Sequence, residues 1–262
     1  MGCRMTAHLL TPRHNDILEL AREQGRVLVE DLARHFNVTP QTIRRDLNEL
    51  CEQRLLARTH GGALMPSGTE NMEYEARRKI AAEEKHAIGK AAAGLIPDQA
   101  SLFVNIGTTT EAVSDALLGH DGLLVITNNI NVANRMRVYP SFEVIIASGV
   151  VRGSDGGIVG EAAVDFIRQF KVDFAVIGVS AIDEDGALYD FDFREVKVAQ
   201  AIIANARHVI LVSDSTKFER SAPVRIGHLS QVGTFITDRC PLPSVRTLCR
   251  DAGVRLLETS VR

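Results

Sequence analysis

The chain contains no tryptophan, and aromatic residues make up only 5% of its 262 residues. Recognition of RNA by base stacking depends on aromatic side chains, so this scarcity argues against that function. The chain also lacks an apolar run of the roughly 18 residues needed to cross a membrane. Residues 1–14 carry no sustained apolar segment of the kind found in secretory signals. We therefore expect a cytoplasmic protein with no membrane partner.

Cysteine and excess charge are scarce as well. None of the four cysteines lies two or three residues from another, so zinc-ribbon and thioredoxin-like spacings are absent. We expect reduced thiols, no metal and no cofactor. The net charge is only −3. DNA binding would therefore require positive charge that is concentrated on one face of a small domain.

The first 65 residues have the pattern of three helices and a hairpin. Apolar residues at helical spacing predict one helix that begins at Pro12 and a second that ends at Asn37, a residue that tolerates the left-handed conformation. Residues 55–59 and 63–64 are β-prone and flank a Gly-Gly turn, which predicts a hairpin. Two helices joined by a short turn and followed by a hairpin indicate a winged helix-turn-helix domain, which we place at residues 1–65.

The third helix has a polar face and an apolar face. Thr39 is a favourable N-cap, and Pro40 suits the first helical position. At about 100° per residue, one side of the helix becomes a buried seam of Ile43, Leu47 and Leu50. The opposite side and the flanks are polar, as expected for a helix that lies in the major groove of DNA.

Candidate DNA-binding residues lie on this polar face and on the hairpin. Arg, Gln and Asn side chains pair with base edges, and helix starts bind phosphates. Arg44 and Arg45 alone are also consistent with an ordinary solvated surface, but the cap, the seam and the hairpin together favour DNA reading. Asp46 and Glu49 would repel phosphate, so we expect them to be structural partners. The candidates are Gln41, Arg45 and Asn48 for base edges, Thr39, Thr42 and Arg44 for phosphates, and Arg58 and His60 on the hairpin.

The remainder of the chain has the pattern of an α/β domain. Residues 66–76 begin with Pro-Ser-Gly-Thr and are expected to be a linker. A helical stretch from Glu75 to Leu95 then precedes alternating strands and helices. Continuous runs of Val, Ile and Leu in this order predict a largely parallel sheet covered by helices on both faces. We place this domain at residues 77–262 and predict its strands at 102–106, 123–126, 144–147, 174–179, 209–212 and 234–237.

Polar residues and glycines follow several of these strands, at the edge where open α/β sheets bind ligands. The turn that begins at Gly107 offers hydroxyls and free N–H groups to a phosphate, but it also fits an ordinary N-cap turn. Lys217 offers a point charge, and acids near Asp190 also serve as helix caps. The candidate ligand-binding residues are Gly107, Thr108, Thr109, Thr110, Asn128, Asn129, Gly149, Arg152, Asp190, Asp192, Glu195 and Lys217.

Two motifs resemble a family of bacterial regulators. Residues 39–47, Thr-Pro-Gln-Thr-Ile-Arg-Arg-Asp-Leu, together with residues 59–63, Thr-His-Gly-Gly-Ala, are similar to the N-terminal domain of the DeoR family. The resemblance continues to about Pro241. It implies a transcriptional repressor that binds double-stranded operator DNA. It also implies a sensor domain related to ribose-5-phosphate isomerase that binds a phosphorylated sugar or polyol.

Further stretches refine what the resemblance implies. Residues 155–162, 165–170 and 201–209 resemble family members that govern glycerol metabolism, and they imply glycerol 3-phosphate or a related phosphorylated sugar as the inducer. Two positions depart from the family pattern, because Ser148 and Glu219 stand where glycine is usual. These departures concern the expected geometry of the ligand site, whereas the expected fold is unaffected.

Two alternative functions stay open. One is a regulator of the same class that responds to another sugar phosphate. The other is a sugar-phosphate isomerase-like enzyme with an added DNA domain, in which Asp190 or Glu195 transfers protons. We expect the regulator and no enzyme activity. We also expect a homo-oligomer, either a dimer or a tetramer, on repeated or palindromic half-sites.

Overall fold

The computed structural model describes residues 10–24, 26–53, 55–59, 61–64 and 74–259. The chain divides into two compact units, Met1–Met72 and Glu73–Arg262. His60 and residues 66–73 of the expected linker lie outside the described residues. A helix begins at Tyr74, so the last residues of that expected linker are helical.

The first unit contains the expected helices and hairpin. Its elements are α1 (Pro12–Gln24), β1 (Arg26–Leu28), α2 (Val29–His35), α3 (Pro40–Glu52), β2 (Ala57–Thr59) and β3 (Gly62–Leu64). The hairpin strands β2 and β3 pair in antiparallel fashion, and β1 adds to the other side of β3. A Cβ atom on Gly62 would lie 2.1 Å from the carbonyl oxygen of Val27. Glycine at this position therefore permits the close approach of β1 and β3.

One apolar core holds the three helices of the first unit together. Ile17 of α1 and the predicted seam of α3, namely Ile43, Leu47 and Leu50, are fully buried. Asn37 has φ 51°, so the left-handed residue expected between α2 and α3 is present. The packing of the seam fixes the rotation of α3 about its own axis and turns its polar face outward.

The helical stretch expected from Glu75 to Leu95 is two helices, α4 (Tyr74–Lys79) and α5 (Ala82–Ala93). Ala81 between them has φ 51°. Nζ of Lys85 donates hydrogen bonds to the carbonyl oxygens of Arg77 at 2.5 Å and Ile80 at 2.7 Å. These carbonyls lack helical partners at the break, and the lysine satisfies them. A buried side chain from the second helix thus ends the first.

The second unit alternates strands and helices. Its strands are β4 (Ser101–Val104), β5 (Leu124–Thr127), β6 (Glu143–Ile146), β7 (Val150–Val151), β8 (Ile158–Val159), β9 (Val172–Ile177), β10 (Ala181–Ile182), β11 (Ala187–Asp190), β12 (Ala206–Val212), β13 (Val224–His228), β14 (Thr234–Thr237) and β15 (Arg255–Glu258). The helices that follow α5 are α6 (Thr108–Ala116), α7 (Ile130–Met136), α8 (Glu161–Ile167), α9 (Phe193–Ala204) and α10 (Pro243–Asp251). Among the described residues, no helix has the length and apolar character needed to span a membrane.

Seven of these strands form one fully parallel sheet, in the order β15-β14-β12-β9-β4-β5-β6. Each of the six predicted strands overlaps one of these seven, so the parallel α/β prediction is confirmed. The strand β15 was not predicted, because Arg255 and Glu258 bracket only two apolar residues.

The two faces of the sheet bury separate apolar cores. Phe103 and Ala175 belong to a core that includes residues of α8, α9 and α10. Their strand neighbours Leu102, Val104 and Val176 belong to a second core that includes residues of α5, α6 and α7. Side chains alternate across a strand, so one apolar run fills both cores. This arrangement explains why these strands read as continuous apolar segments.

Two small antiparallel sheets complete the second unit, and neither was predicted. One has the order β10-β11-β13, and the other is the pair β7-β8. Their strands are two to five residues long, too short for a periodic pattern. They matter for the site because Asp190 ends β11 and Arg152 directly follows β7.

Candidate functional site

Two threonines fix the start of α3. Oγ1 of Thr39 accepts a hydrogen bond from the backbone N–H of Thr42 at 3.2 Å, and the two hydroxyls lie 2.9 Å apart. Pro40 occupies the first turn. The N-cap satisfies one of the free N–H groups at the helix start. One of the two threonine hydroxyl protons remains available, so this end of the helix can still donate to a phosphate.

The polar face of α3 is open to solvent. Gln41, Arg44, Arg45 and Asn48 are exposed, whereas the seam on the opposite side is buried. Nε of Arg45 donates to Oε1 of Glu49 at 3.1 Å, and the arginine side chain is 82% exposed. Exposed pairs of this kind contribute only about 0.3–0.5 kcal/mol. Arg45 can therefore exchange this partner for another acceptor at little cost.

Asp46, the buried acid of α3, has structural partners. Asp46 is buried, and its carboxylate pairs with Arg13 of α1. Nε2 of His14 also lies 3.4 Å from Oδ1 of Asp46. Asp46 is therefore part of the contact between helices and does not belong to the exposed face.

The hairpin places one candidate cation at the surface. Arg58 is exposed, and its Nη1 donates to the carbonyl oxygen of Gly62 at 3.3 Å. This contact ties the arginine to the neighbouring strand. His60, the other hairpin candidate, lies outside the described residues.

The turn before α6 has both structural groups and free groups. Gly107 precedes the helix with φ 145°. Oγ1 of Thr110 lies 2.7 Å from the carbonyl oxygens of both Asn105 and Gly107, so its proton is used within the turn. Thr109 is buried and Thr108 is half-buried. The groups of this turn best suited to a phosphate are the Thr108 hydroxyl and the first-turn N–H groups.

Asn128 and Asn129 follow β5 and are fully buried. Asn129 caps α7, and its Nδ2 donates to Oε1 of Glu111 at 3.1 Å. Nδ2 of Asn128 donates to the carbonyl oxygen of Ile158 at 3.1 Å. Oδ1 of Asn128 has no hydrogen-bond partner within the described part of the chain. Asn129 thus joins α7 to α6, while Asn128 retains an acceptor for a hydroxyl group.

Ser148 and Gly149 form a tight connection before β7. A Cβ atom on Gly149 would lie 2.8 Å from the carbonyl oxygen of Val159, and the residue has φ 141°. Oγ of Ser148 donates to the carbonyl oxygen of Ala162 at 3.1 Å. The close approach to β8 explains Gly149, and the hydrogen bond to α8 explains Ser148.

Arg152 is surrounded by carboxylates. Its Nε and Nη2 donate to the two oxygens of Asp155 at 2.9 and 2.7 Å. Nη1 reaches Asp192 at 3.2 Å, and Nη2 reaches Glu195 at 2.5 Å. Asp192 also caps α9. The guanidinium of Arg152 is thus already bound to three acids, which it draws together at the strand ends.

Glu195 and Asp190 are buried acids with raised pKa values. Burial and the nearby charge of Asp190 raise the pKa of Glu195 to about 8, although Arg152 opposes the shift. Burial likewise raises the pKa of Asp190, which accepts hydrogen bonds from Oγ of Ser180 and the backbone N–H of Phe191. A protonated Glu195 at neutral pH reduces the negative charge of this cluster.

Four cations from distant parts of the chain influence one another through their charges. Burial, together with the charges of Arg220, Lys85 and Arg77, lowers the pKa of Lys217 to about 7 against the opposing charge of Asp214. Burial lowers the pKa of Lys85 as well, and that of Arg220. Lys217 as a whole residue is half-buried. We call Arg77, Lys85, Lys217 and Arg220 the cation cluster.

Sequence reasoning found only Lys217 of the cation cluster. The other three lie in segments that read as ordinary charged surface, and only the fold brings them to the strand ends. A second polar network was also missed. Nδ2 of Asn131 lies 3.0 Å from the Tyr74 hydroxyl, from Oε1 of Glu111 and from the carbonyl oxygen of Asp155. It thereby links α4 and α6 to the acids around Arg152.

Comparisons with known proteins agree with this arrangement. Residues 13–69 match the DeoR-like helix-turn-helix domain, and residues 80–239 match the DeoR C terminal sensor domain. The chain is 50% identical over 246 residues to the glycerol-3-phosphate regulon repressor of Escherichia coli (strain K12), covering 94% of this chain and 98% of the relative. A protein of the same name from Haemophilus influenzae is 48% identical over 229 residues, covering 87% and 89%.

A more distant relative and a solved structure extend the comparison. The HTH-type transcriptional repressor CsqR of Escherichia coli (strain K12) is 40% identical over 246 residues, covering 94% of each chain. Ribose 5-phosphate isomerase from Plasmodium falciparum overlaps 53% of each chain at 12% identity, with a TM-score of 0.39. Two family domains in the expected order, and relatives that span almost the whole chain, identify this protein as a member of the DeoR family of helix-turn-helix transcriptional regulators, with an N-terminal DNA-binding domain and a C-terminal sensor domain.

Proposed function

We propose that this regulator represses genes of glycerol and glycerol 3-phosphate metabolism and leaves its operator when it binds glycerol 3-phosphate. The observation that carries the proposal is the 50% identity to a glycerol-3-phosphate regulon repressor across 94% of the chain. The exposed polar face of α3 and the cation cluster of the sensor domain supply the matching chemistry. Because the proposed target is genomic DNA, we propose that the protein acts in the cytoplasm.

For DNA, the proposal assigns each exposed side chain a role. Gln41, Arg45 and Asn48 lie on one exposed face and can pair with base edges. Thr39, Thr42 and Arg44 lie at the helix start or on its flank, where phosphate contacts fix the position of the helix. Arg58 and His60 on the hairpin add contacts to the DNA backbone or minor groove.

For the ligand, the proposal divides the site by charge. The cation cluster, with Lys217, and the N–H groups of the turn from Gly107 to Thr110 bind the phosphate. Asn128 and the acids Asp190, Asp192 and Glu195 lie where hydroxyl groups of a polyol can be bound. In this proposal Gly149 and Asn129 shape the site, and Arg152 holds its acids in place.

We propose further that the protein has no isomerase activity and acts as a homo-oligomer. Glu195 is bound by Arg152, and Oδ1 of Asp190 accepts hydrogen bonds from Oγ of Ser180 and the backbone N–H of Phe191, so structural partners hold both acids that an isomerase would need for proton transfer. Two-fold symmetric binding to paired half-sites suits a helix-turn-helix protein. Size-exclusion chromatography with light scattering, on the free chain and on its DNA complex, measures the oligomer directly.

The decisive experiment is operator release by defined ligands. Selection from random duplex DNA with the full chain first supplies an operator. Affinity for that operator is then measured with glycerol 3-phosphate, glycerol, ribose 5-phosphate and inorganic phosphate, each at matched ionic strength because DNA binding depends on salt. Release by glycerol 3-phosphate alone supports the proposal.

Other outcomes overturn parts of the proposal. Release by ribose 5-phosphate but not by glycerol 3-phosphate would assign the regulator to another sugar phosphate. Turnover of ribose 5-phosphate would establish the isomerase alternative. Failure of the selection to yield any preferred DNA sequence would contradict the role of α3 in base reading.

A further inference from the structure

Helix α4 is attached to the sensor domain by polar contacts. None of its six described side chains is buried. The hydroxyl of Tyr74 donates to Oε2 of Glu111 at 2.7 Å, and Nη2 of Arg77 donates to Oδ2 of Asp155 at 3.1 Å. Polar contacts can be exchanged for others of equal strength, whereas an apolar face would hold the helix in one place. The position of α4 therefore depends on what its polar groups bind.

Arg77 is poorly satisfied where it lies. Its Nε is buried and has no hydrogen-bond partner among the described residues. Its charge acts on the cations Lys85, Lys217 and Arg220 as well as on the acids Asp155 and Asp190. A buried donor without an acceptor costs about 1–3 kcal/mol. An anion placed among these cations would accept from Nε and offset the repulsion between like charges.

Asp155 does not depend on Arg77. Arg152 donates to both of its carboxylate oxygens, at 2.9 and 2.7 Å, and the backbone N–H of Gly157 donates to Oδ1 at 3.2 Å. Burial raises the pKa of this carboxyl, but Arg152, then Gly157 and, after these two, Arg77 lower it below its ordinary value. Departure of Arg77 therefore leaves Asp155 paired and charged. For Asp155, the loss of Arg77 as a partner therefore costs little free energy.

We propose that Arg77 binds the phosphate of the ligand in exchange for Asp155, and that α4 moves with it. The proposal rests on the proposed function, since it assumes a phosphorylated ligand at the strand ends. In the sequence, α4 begins at Tyr74 and the last strand of the DNA-binding unit ends at Leu64. Arg77 thus lies on the first described element of the sensor domain. Ligand binding there acts directly on the segment that leads to the DNA-binding unit.

Arg77 and Arg78 provide a matched pair of variants. Arg78 is on the same helix, is about half exposed and pairs with Glu75. Calorimetry on the full chain measures the affinity for glycerol 3-phosphate, and operator binding with and without this ligand measures the coupling between the two sites. Loss of a charge-assisted bond in Arg77→Gln should weaken ligand binding roughly 10- to 100-fold. In Arg77→Gln, the ratio of operator affinity without ligand to operator affinity with ligand should fall towards one. In Arg78→Gln, both the ligand affinity and this ratio should stay within about twofold of the wild-type values.

A second measurement follows the helix itself. Hydrogen exchange of the backbone amides of residues 74–80 should change when glycerol 3-phosphate binds to the wild-type chain and to Arg77→Lys, but not to Arg77→Gln. Tyr74→Phe keeps the ring and removes the hydroxyl that holds α4 to Glu111. This variant should be released from operator DNA at a lower concentration of glycerol 3-phosphate than the wild type, whereas Arg77→Gln should need a higher concentration.

Failure of this proposal can be told apart from failure of the proposed function. Wild-type ligand affinity and release in Arg77→Gln, with an unchanged melting temperature, would overturn the role of Arg77 and leave the repressor proposal intact. Unaltered exchange in α4 on ligand binding would overturn its movement. The anions of the ligand panel are glycerol 3-phosphate, ribose 5-phosphate and inorganic phosphate. A wild-type chain that binds none of these anions would overturn both proposals.

Discussion

Arg13 of α1 donates two hydrogen bonds to the carboxylate of Asp46 of α3, from Nε to Oδ2 at 2.7 Å and from Nη2 to Oδ1 at 3.0 Å. The carboxylate side chain is 8% exposed, whereas the arginine is 35% exposed. A bidentate pair of this kind fixes geometry as well as energy. It sets the angle at which the first helix meets the helix that reads DNA.

Asp46→Ala should therefore destabilise the first unit. We expect a loss of about 2 kcal/mol, below the full cost of breaking a buried pair because Arg13 is partly solvated. Thermal unfolding measures the loss, and Glu52→Ala, an exposed acid on the same helix, serves as the control. Equal melting temperatures for the two variants would show that the pair contributes nothing to stability.

Arg45 and Arg44 should differ in how they affect DNA binding. Arg45→Ala should cost about 1–3 kcal/mol and relax base choice at one operator position. Arg44→Ala should weaken binding to all sequences similarly and reduce the dependence on salt, because a phosphate contact is lost. Competition binding with single-base operator variants separates the two. Sequence-independent losses of equal size would contradict the assigned orientation of α3.

The two neighbouring glycines of the hairpin offer a steric test. Gly62→Ala would bring Cβ to within 2.1 Å of the Val27 carbonyl oxygen, so β1 must separate from β3. We expect a loss of about 3 kcal/mol. Gly61 has φ 81°, and an added Cβ would meet no described atom within 4 Å. Gly61→Ala should therefore cost only about 1–2 kcal/mol of backbone strain. Denaturant unfolding of both variants tests this order.

Lys217 should make ligand binding depend on pH. With a pKa of about 7 in the free protein, it loses its proton above neutrality, and a phosphate then binds only with proton uptake. Affinity should fall above pH 7, by up to about tenfold per pH unit. Lys217→Arg keeps a fixed charge, so its affinity should fall less steeply between pH 7 and 8. The remaining slope reports ionisation of Glu195, whose pKa is about 8.

The same residue affects folding in the absence of ligand. The pKa of Lys217 lies below its ordinary value of 10.5, so the unfolded chain binds more protons between these two values. Stability should therefore rise as the pH increases from about 7 towards 10. Chemical denaturation of the wild type and Lys217→Met, compared across this range, measures the contribution. A parallel pH dependence in both proteins would contradict the lowered pKa.

Local patterns in the sequence were sufficient for the parts of the fold that have strong periodicity. The cap at Thr39, the seam of α3 and six strands of the parallel sheet follow from spacing and residue type alone. The break at Ala81 could not be read in this way. Alanine favours a continuous helix, and the left-handed turn persists because Lys85 binds the carbonyl groups that the break exposes.

The candidate ligand site was predictable only in part, for a related reason. Residues next to strand ends were found because their position follows from the strand itself. Arg77 contacts Asp155, which lies 78 residues away in the sequence, and nothing local in the helix indicates that partner. The acids at the start of α9 were found, but their capture by Arg152 depends on the small β7-β8 pair that the sequence did not reveal.

The apolar cores have a consequence for how such regulators diversify. The core of the DNA-binding unit draws its buried residues from positions between Ile17 and Ala63, and those of the sensor domain draw theirs from positions between Ile88 and Val254. Among the described residues, each core is built from side chains of its own unit. Recombination near residue 70 can therefore join an existing DNA-binding domain to a sensor domain for a different metabolite without changes to the apolar core of either domain.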